Sequence, residues 1–517
     1  MKLYFRLILA ALAATVALAA CTKETIPPNF ENDKVAPAAE GSRVIAVSFG
    51  TQTKTYLDKD GLQPKFNDGD SVLISNGKAI DTCEVSVDGD NATISTNLTG
   101  PLKAVYPYKA AKLDGKNPNQ IDTVFVFPVQ SGTFADANIC RAKMKGGNDE
   151  SLSFENKTAV FEITPPEGAT AITITSLKPV VDGVARTGTA KAINTDGQTD
   201  DDKCVITVSN SDSTTFYVAL VPGVNLSDLS FDAGETYGMK GIPTSKISTD
   251  QTAANTKYTI DDKNWHPYVT IGGKKWATEN VGATTSNPYG TYFEWGNTTG
   301  HALKESSVGG TGTITTAFVG DYKFSWANCP YQMENTSSAS STKFTKYLGS
   351  TTSSYRHATA TDADAMKTVL DLVDDAAYVN WGGAWRMPTG GTAADSDFTA
   401  LAKAANESYT SSTLKYTQTI DGDAPSNRGV YYYNVSGKTV GVYFVDNSSN
   451  KLFFPAAGNG NGTSLNSAGS NGLYWSSSLN ASNPSTAYSL YFSDRNAAPQ
   501  SNDNRSSGRS VRPVSDL

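Results

Sequence analysis

Between residues 43 and 262 the chain is a succession of strand-length runs cut by Gly, Asp, Asn and Pro. No other feature narrows the possible folds as much. The runs are RVIAVSF, SVLIS, ATIST, KAVYPY, DTVFVFPV, AVFEITP, AITITS, KCVITVS and TTFYVALVP. Short runs rich in β-branched and aromatic residues, with turn formers between them, predict β-sandwiches. A span of this length suits two stacked sandwiches better than one. Pro165 and Pro166 cannot both sit in a central strand, so a boundary is expected there. The expected domains are 43–165 and 166–262, with no helix-period segment in either.

All seven Trp and all three His lie beyond residue 264, which implies a second, unlike module over 265–517. The junction falls near STDQTAANTKYTIDDKNW, a polar connector leading into a short strand. YVTIGGKKWATENV predicts two short strands around Gly272-Gly273, burying Val269, Ile271 and Trp276. TDADAMKTVLDLVDDAA predicts a helix capped by Thr361 and Asp364, with Met366, Val369, Leu370 and Val373 on one stripe. A second helix is expected after Ser396, burying Phe398, Leu401, Ala402 and Ala405. Strand-like runs follow: GVYYYNV, TVGVYFVD, KLFFPAAG, GLYWSSS, AYSLYFS and SVRPV. Early helices and late strands predict an α+β domain.

The chain opens with MKLYFRLILAALAATVALAAC, a basic start, a short apolar core and small residues before Cys21. The core is shorter than a spanning helix requires and reads as a signal peptide, residues 1–21. Its end resembles the bacterial lipobox, in which the cysteine is acylated. That resemblance implies a lipid anchor on Cys21, an outer-membrane location and surface display, with Thr22 to Ser42 as a Pro-containing spacer. Net charge is −8 and the isoelectric point about 5.1, so a nucleic-acid partner is not expected. Cys83, Cys140, Cys204 and Cys329 form no disulfide framework, and no His lies at zinc-ligand spacing from a Cys.

The first module resembles the fimbrillin-like family through FNDGDSVLIS, AVYPY, VFVFPVQSGTF and SLSFENKTAVFEI. The resemblance implies two β-sandwiches and a pilus subunit or adhesin that joins other fimbrial subunits by strand donation. It also implies trimming after a basic residue, for which Arg43 is the candidate. The second module resembles the Fibrobacter succinogenes major paralogous domain, similar in fold to C-type lectins and sulfatase-modifying factors. VTIGGKKWATENVGATT, YGTYFEWGN, DDAAYVNWGGAWRMPT, LFFPAAGNGNG, GLYWSSS and RSVRPV carry that resemblance. It implies that the last strand returns to pair near the first, and that the segment before it faces a ligand.

Catalysis is not expected. One Cys in the second module does not support sulfatase-modifying chemistry, and the calcium-binding strings of lectins are missing. Asp374 and Asp375 read as a solvated helix end, and GNGNG as a turn without the lysine of a phosphate loop. No cofactor or metal is expected. Trp276, Trp295, Trp381 and Trp385 read as core, whereas Tyr474 and Trp475 are candidates for a contact platform. The polar stretch from Arg495 to Ser510 lies between strand-like ends and is read as a tethered loop. Arg495, Asn496, Asn502, Asp503, Asn504, Arg505 and Arg509 are its candidate ligand-binding residues, of types that paratopes favour. The composition also resembles that of target proteins diversified by retroelements, though loops in general are rich in Asn and Ser. The expected function is a lipid-anchored adhesin or pilus-tip protein that binds a glycan or a surface protein. A structural fimbrial subunit and a carbohydrate-active enzyme are the alternatives.

Overall fold

A computed structural model describes residues 42–49 and 65–516, apart from 125, 127–128, 145–149, 177–203, 210–213, 244–250, 262–263, 307–312, 334–341, 393–394, 411–412 and 424. The leader, Cys21 and almost all of the spacer lie outside the described residues. Among the described residues no helix is long and apolar enough to cross a membrane.

The first seven-stranded unit closes into a barrel, where two flat layers had been expected. Arg43–Phe49 pairs in parallel with Ser151–Asn156 on one side and antiparallel with Asn91–Thr96 on the other. Cys140–Lys143, Lys103–Tyr106, Ser71–Ser75 and Ile80–Asp88 complete the circuit. One strand joining both neighbours removes the free edges that a sandwich would keep. The alternation of Arg43–Phe49 sets which side faces in: Ile45 and Val47 are buried between outward-facing neighbours.

The second unit is a sandwich. A three-stranded sheet, Phe216–Leu220, Ala159–Ile163 and Thr256–Ile260, faces a five-stranded one. The latter runs Met239–Gly241, Leu229–Asp232, Ala171–Ser176, Cys204–Ser209, Val129–Gln130. Phe161, Ile172, Ile174, Val218 and Phe231 fill the space between them. Val105, Ile121, Val124 and Ile139, from earlier in the chain, join that core, and Ala159–Ile163 enters it before Pro165-Pro166.

Among the described residues the C-terminal module is mostly strands, with three short α-helices, so the expected α+β balance gives way to a predominantly β one. The hairpin Tyr268–Ile271 and Lys274–Ala277 turns through Gly272 at φ 62° and Gly273 at φ 75°, the left-handed pair that a two-residue hairpin loop needs. Asp397–Ala405 is a helix with the Ser396 hydroxyl accepting from Thr399 N, and its Phe398, Leu401, Ala402 and Ala405 are buried. The other expected helix is broken. Thr361 does cap it, but it stops at Met366 after little more than a turn, and a second short helix covers Ala376–Trp381. Met366, Val369 and Val373 have no facing layer and stay exposed. Asp374 and Asp375 are buried, contrary to the solvated reading. Asp374 accepts from Tyr331, Tyr347 and Lys346. Asp375 caps the second helix through Ala377 N and Tyr378 N and also accepts from Met387 N. GNGNG contributes Asn459–Asn461, one arm of a hairpin with Ser464–Asn466.

The last strand is reduced to Val514–Ser515, and it pairs with Trp276 and Lys275 of the first hairpin. The expected return of the C-terminus to the module's start is therefore present. The module is also joined to the second sandwich. Met239 and His266 exchange two backbone hydrogen bonds of 3.0 Å, extending the five-stranded sheet at its edge. Trp385 Nε1 donates to Met239 O at 3.3 Å, Ala384 N donates to Ser230 Oγ at 2.6 Å, and Lys275 pairs with Asp232.

Candidate ligand-binding surface

The polar terminal stretch is a strand for most of its length. Asn496–Asn504 pairs antiparallel with Thr486–Phe492, which pairs with Gly472–Leu479, while Leu414–Lys415 flanks its other side. The ladder slips between Ser489 and Tyr491, opposite Pro499, where a missing N–H does least harm. Ala497 and Pro499 point inward. Asn502 and Asn504 are exposed, Asn496 and Asp503 are half-buried, and Arg495 is exposed in the turn before the strand. A tethered loop was expected; pairing with a well-formed neighbour fixes its polar side chains, with Asn502 and Asn504 on one face of the sheet and Asn496 and Asp503 on the other.

Four of the candidates are not on that surface. Tyr474 and Trp475 are fully buried, and their polar atoms are satisfied inside. The Tyr474 hydroxyl donates to Pro455 O, and Trp475 Nε1 donates to Phe293 O at 2.8 Å. They are core, and cannot serve as a contact platform. Arg505 and Arg509 are likewise buried, because each guanidinium lies on an aromatic face. Arg505 sits 4.1 Å from the Phe344 ring centre and 4.8 Å from that of Trp295. Its Nη1 donates to Tyr347 O and Pro484 O, while Nε and Nη2 find no partner in the described residues. Arg509 lies over Trp475, donates to Ser489 Oγ at 2.6 Å and pairs with Asp503. Burial pushes both arginines down to about 10, which leaves them charged at neutral pH.

A third buried arginine, Arg512, belongs to the same series and was read from sequence only as part of an edge-like strand. Its Nε donates to Asn280 Oδ1 at 2.8 Å and its Nη1 to Ala277 O at 3.0 Å, with the Phe454 ring beside it. Arg505 and Arg512 pin the segment after the polar strand to residues more than 150 positions earlier, and Arg509 ties it to Ser489 and Trp475 of the adjoining strands. The sequence signal was the recurrence of Arg within eight residues; its aromatic partners lie too far away in the chain to be inferred.

Arg43 opens its barrel strand, donating to Gly100 O and lying against Met144 Sδ. A cut after it would leave Val44 to Phe49 hydrogen-bonded in place, so such a cut alone does not empty an acceptor groove. Cys83, Cys140 and Cys329 are buried free thiols, and burial pushes Cys83 and Cys329 up to about 12. No group of His, Cys, Asp and Glu able to hold a metal ion occurs among the described residues.

Residues 441–514, which include the polar strand and the three arginines, match the profile of a domain of unknown function, DUF8237. No curated protein matches the chain. A candidate cell adhesion protein from Bacteroides uniformis is similar at 17% identity and a TM-score of 0.26, over 44% of this chain and 94% of its own. A candidate cell adhesion protein from Bacteroides ovatus gives 14% and 0.23, over 38% and 81%. A fimbrial protein from Bacteroides ovatus gives 10% and 0.25, over 92% and 99%. Similarity this low in identity and TM-score establishes neither fold nor role for this chain.

Proposed function

We propose that the protein is a cell-surface adhesin, lipid-anchored through Cys21 to the outer membrane, that binds a glycan or surface-protein ligand through its C-terminal module. The observation that carries this is the pair Asn502 and Asn504, exposed side by side on one face of a strand whose following segment is locked by buried arginines. Polar side chains on a rigid frame bind with little ordering cost, which favours recognition over mere solvation. Arg495 adds an exposed cation in the turn before the strand. Tyr474, Trp475, Arg505 and Arg509 act as the frame.

A position at a pilus tip, or as a monomer, is the reading supported by two strand pairings. Val514 is paired with Trp276, and Thr256–Ile260 lies within its own sandwich just before the connector. Neither segment is free to complete a neighbouring subunit, while the barrel could still accept a donated strand if its own first strand left.

The test is binding of the full chain to arrays of glycans and cell-surface proteins, repeated with Arg495→Ala, Asn502→Ala and Asn504→Ala combined. Loss of binding in the triple variant supports the reading. Unchanged binding would move the ligand site away from the terminal strand, and no ligand on any array leaves a structural fimbrial subunit as the better account.

A further inference from the structure

Where the second sandwich meets the C-terminal module, a cleft of about 550 Å³ opens. Lys240 and Asp261 contribute from the sandwich, His266 from the connector, and Glu279, Asn380 and Trp381 from the C-terminal module. Its volume falls within the range of small-molecule sites, and a junction between domains is where such sites concentrate. The walls are fixed before any ligand arrives, by the Met239–His266 backbone pair and the Lys275–Asp232 ion pair. A preformed cleft avoids most of the ordering cost of binding.

The groups lining the cleft select the ligand. The Lys240 ammonium is held by Asp261 O and Oδ1, so its charge is already matched. Glu279 adds a carboxylate, with one oxygen 2.7 Å from His266 Nδ1. An anion would meet two carboxylates and an already paired cation. A quaternary ammonium needs an open aromatic face. The Trp381 ring offers none on the side where the His266 ring lies stacked at 3.4 Å and 4°. What remains is a dense set of carboxylate and amide acceptors and an imidazole edge, which suits hydroxyl groups. Asn380 spends its amide hydrogens on Thr298 O and Ala376 O, and so offers its carbonyl oxygen as a further acceptor.

We propose that this cleft is a binding site for a neutral saccharide, separate from the terminal strand and not dependent on it. The test is isothermal titration of the full chain with maltotriose, cellotriose, mannotriose and triacetylchitotriose, with trigalacturonate and spermidine as charged comparators. At least one neutral trisaccharide is expected to bind and the charged probes are not. Glu279→Ala, which removes an acceptor, and Ala283→Trp, which fills the cleft from a half-exposed position, should each weaken binding about tenfold or more. Asn502→Ala should leave it unchanged. The proposal is overturned if no neutral trisaccharide binds, if a charged probe binds more tightly, or if both cleft variants bind like the wild type. Loss in Asn502→Ala alone would overturn it too, while supporting the terminal strand as the saccharide site.

Discussion

The Arg509 guanidinium lies 4.4 Å from the centre of the Trp475 ring, and both side chains are fully buried. Arg509 therefore behaves as a core residue that happens to be charged. Arg509→Ala removes the ring contact and the bond to Ser489, strips Asp503 of its partner and leaves a void. Breaking a buried charged contact in this way should cost about 3–5 kcal/mol. Lys should not rescue it, because a point charge cannot lie flat on the indole while reaching Ser489 and Asp503. Arg495→Ala, in an exposed turn, should stay within about 0.5 kcal/mol. Urea unfolding of the three variants checks the contrast, and equal effects at 495 and 509 would contradict it.

Asp375 is the buried cap of the Ala376–Trp381 helix, and it also accepts from Met387 N. Asp375→Ala leaves three buried N–H groups without an acceptor, at about 1 kcal/mol or more each. Asp375→Asn keeps the oxygen that serves Ala377 and Tyr378 and loses only the contact to Met387. Asn should therefore cost clearly less than Ala in thermal unfolding. The reverse order would mean that the cap is not what holds this helix.

How far the sequence reached is seen by comparing these two regions with the Ser396 helix. There, cap, periodicity and burial agreed, and both the cap and the apolar stripe lie within residues 396–405, so the helix was legible. The Thr361 helix has the same kind of cap, yet Lys346, Tyr331 and Tyr347 draw Asp374 into a buried cluster that ends it. Those partners are 27 to 43 residues away, beyond any local pattern. The strands of the first module were legible from alternation, but closure of the barrel depends on Arg43–Phe49 meeting both Ser151–Asn156 and Asn91–Thr96. In the terminal stretch, Asn and Ser suggested a loop; only pairing with Thr486–Phe492 makes it a strand.

Acidification should weaken the junction between the sandwich and the C-terminal module. Burial pushes His266 below its usual range, and the nearby Lys240 adds to that, while Glu279 works against it. A base with a depressed folded value contributes stability above its unfolded value, near 6.5, and loses it as pH falls through the folded one. Wild-type melting temperature should thus drop on acidification below that point by more than His266→Asn does. His301 is shifted in the same direction by burial, so the difference between the two proteins, not the wild-type slope, is the measurement. Parallel profiles would remove His266 from the account.

Immunogold labelling of whole cells tests the proposed position in a fibre. The Val514–Ser515 strand is already paired with Trp276 and Lys275 and so is not available for donation, and label should lie at fibre ends or on the cell surface, singly. Label repeated along a fibre would show that this chain polymerises despite that pairing.

The first barrel strand gives the most direct test of how the protein could join others. Ile45 and Val47 are buried on it, and its backbone is bonded on both edges. A chain beginning at residue 51 loses two buried aliphatic side chains, about 1.5–3 kcal/mol each, together with both ladders. Its barrel should be strongly destabilised. A synthetic RVIAVSF peptide should then raise its melting temperature in proportion to the logarithm of peptide concentration, as a ligand specific to the native state does. Arg43→Ala in the intact chain removes the contacts to Gly100 O and Met144 Sδ at the strand's start and should cost no more than about 1 kcal/mol. If the peptide produced no shift while the shortened chain stayed folded, the groove would have collapsed, and strand acceptance at this barrel would be excluded.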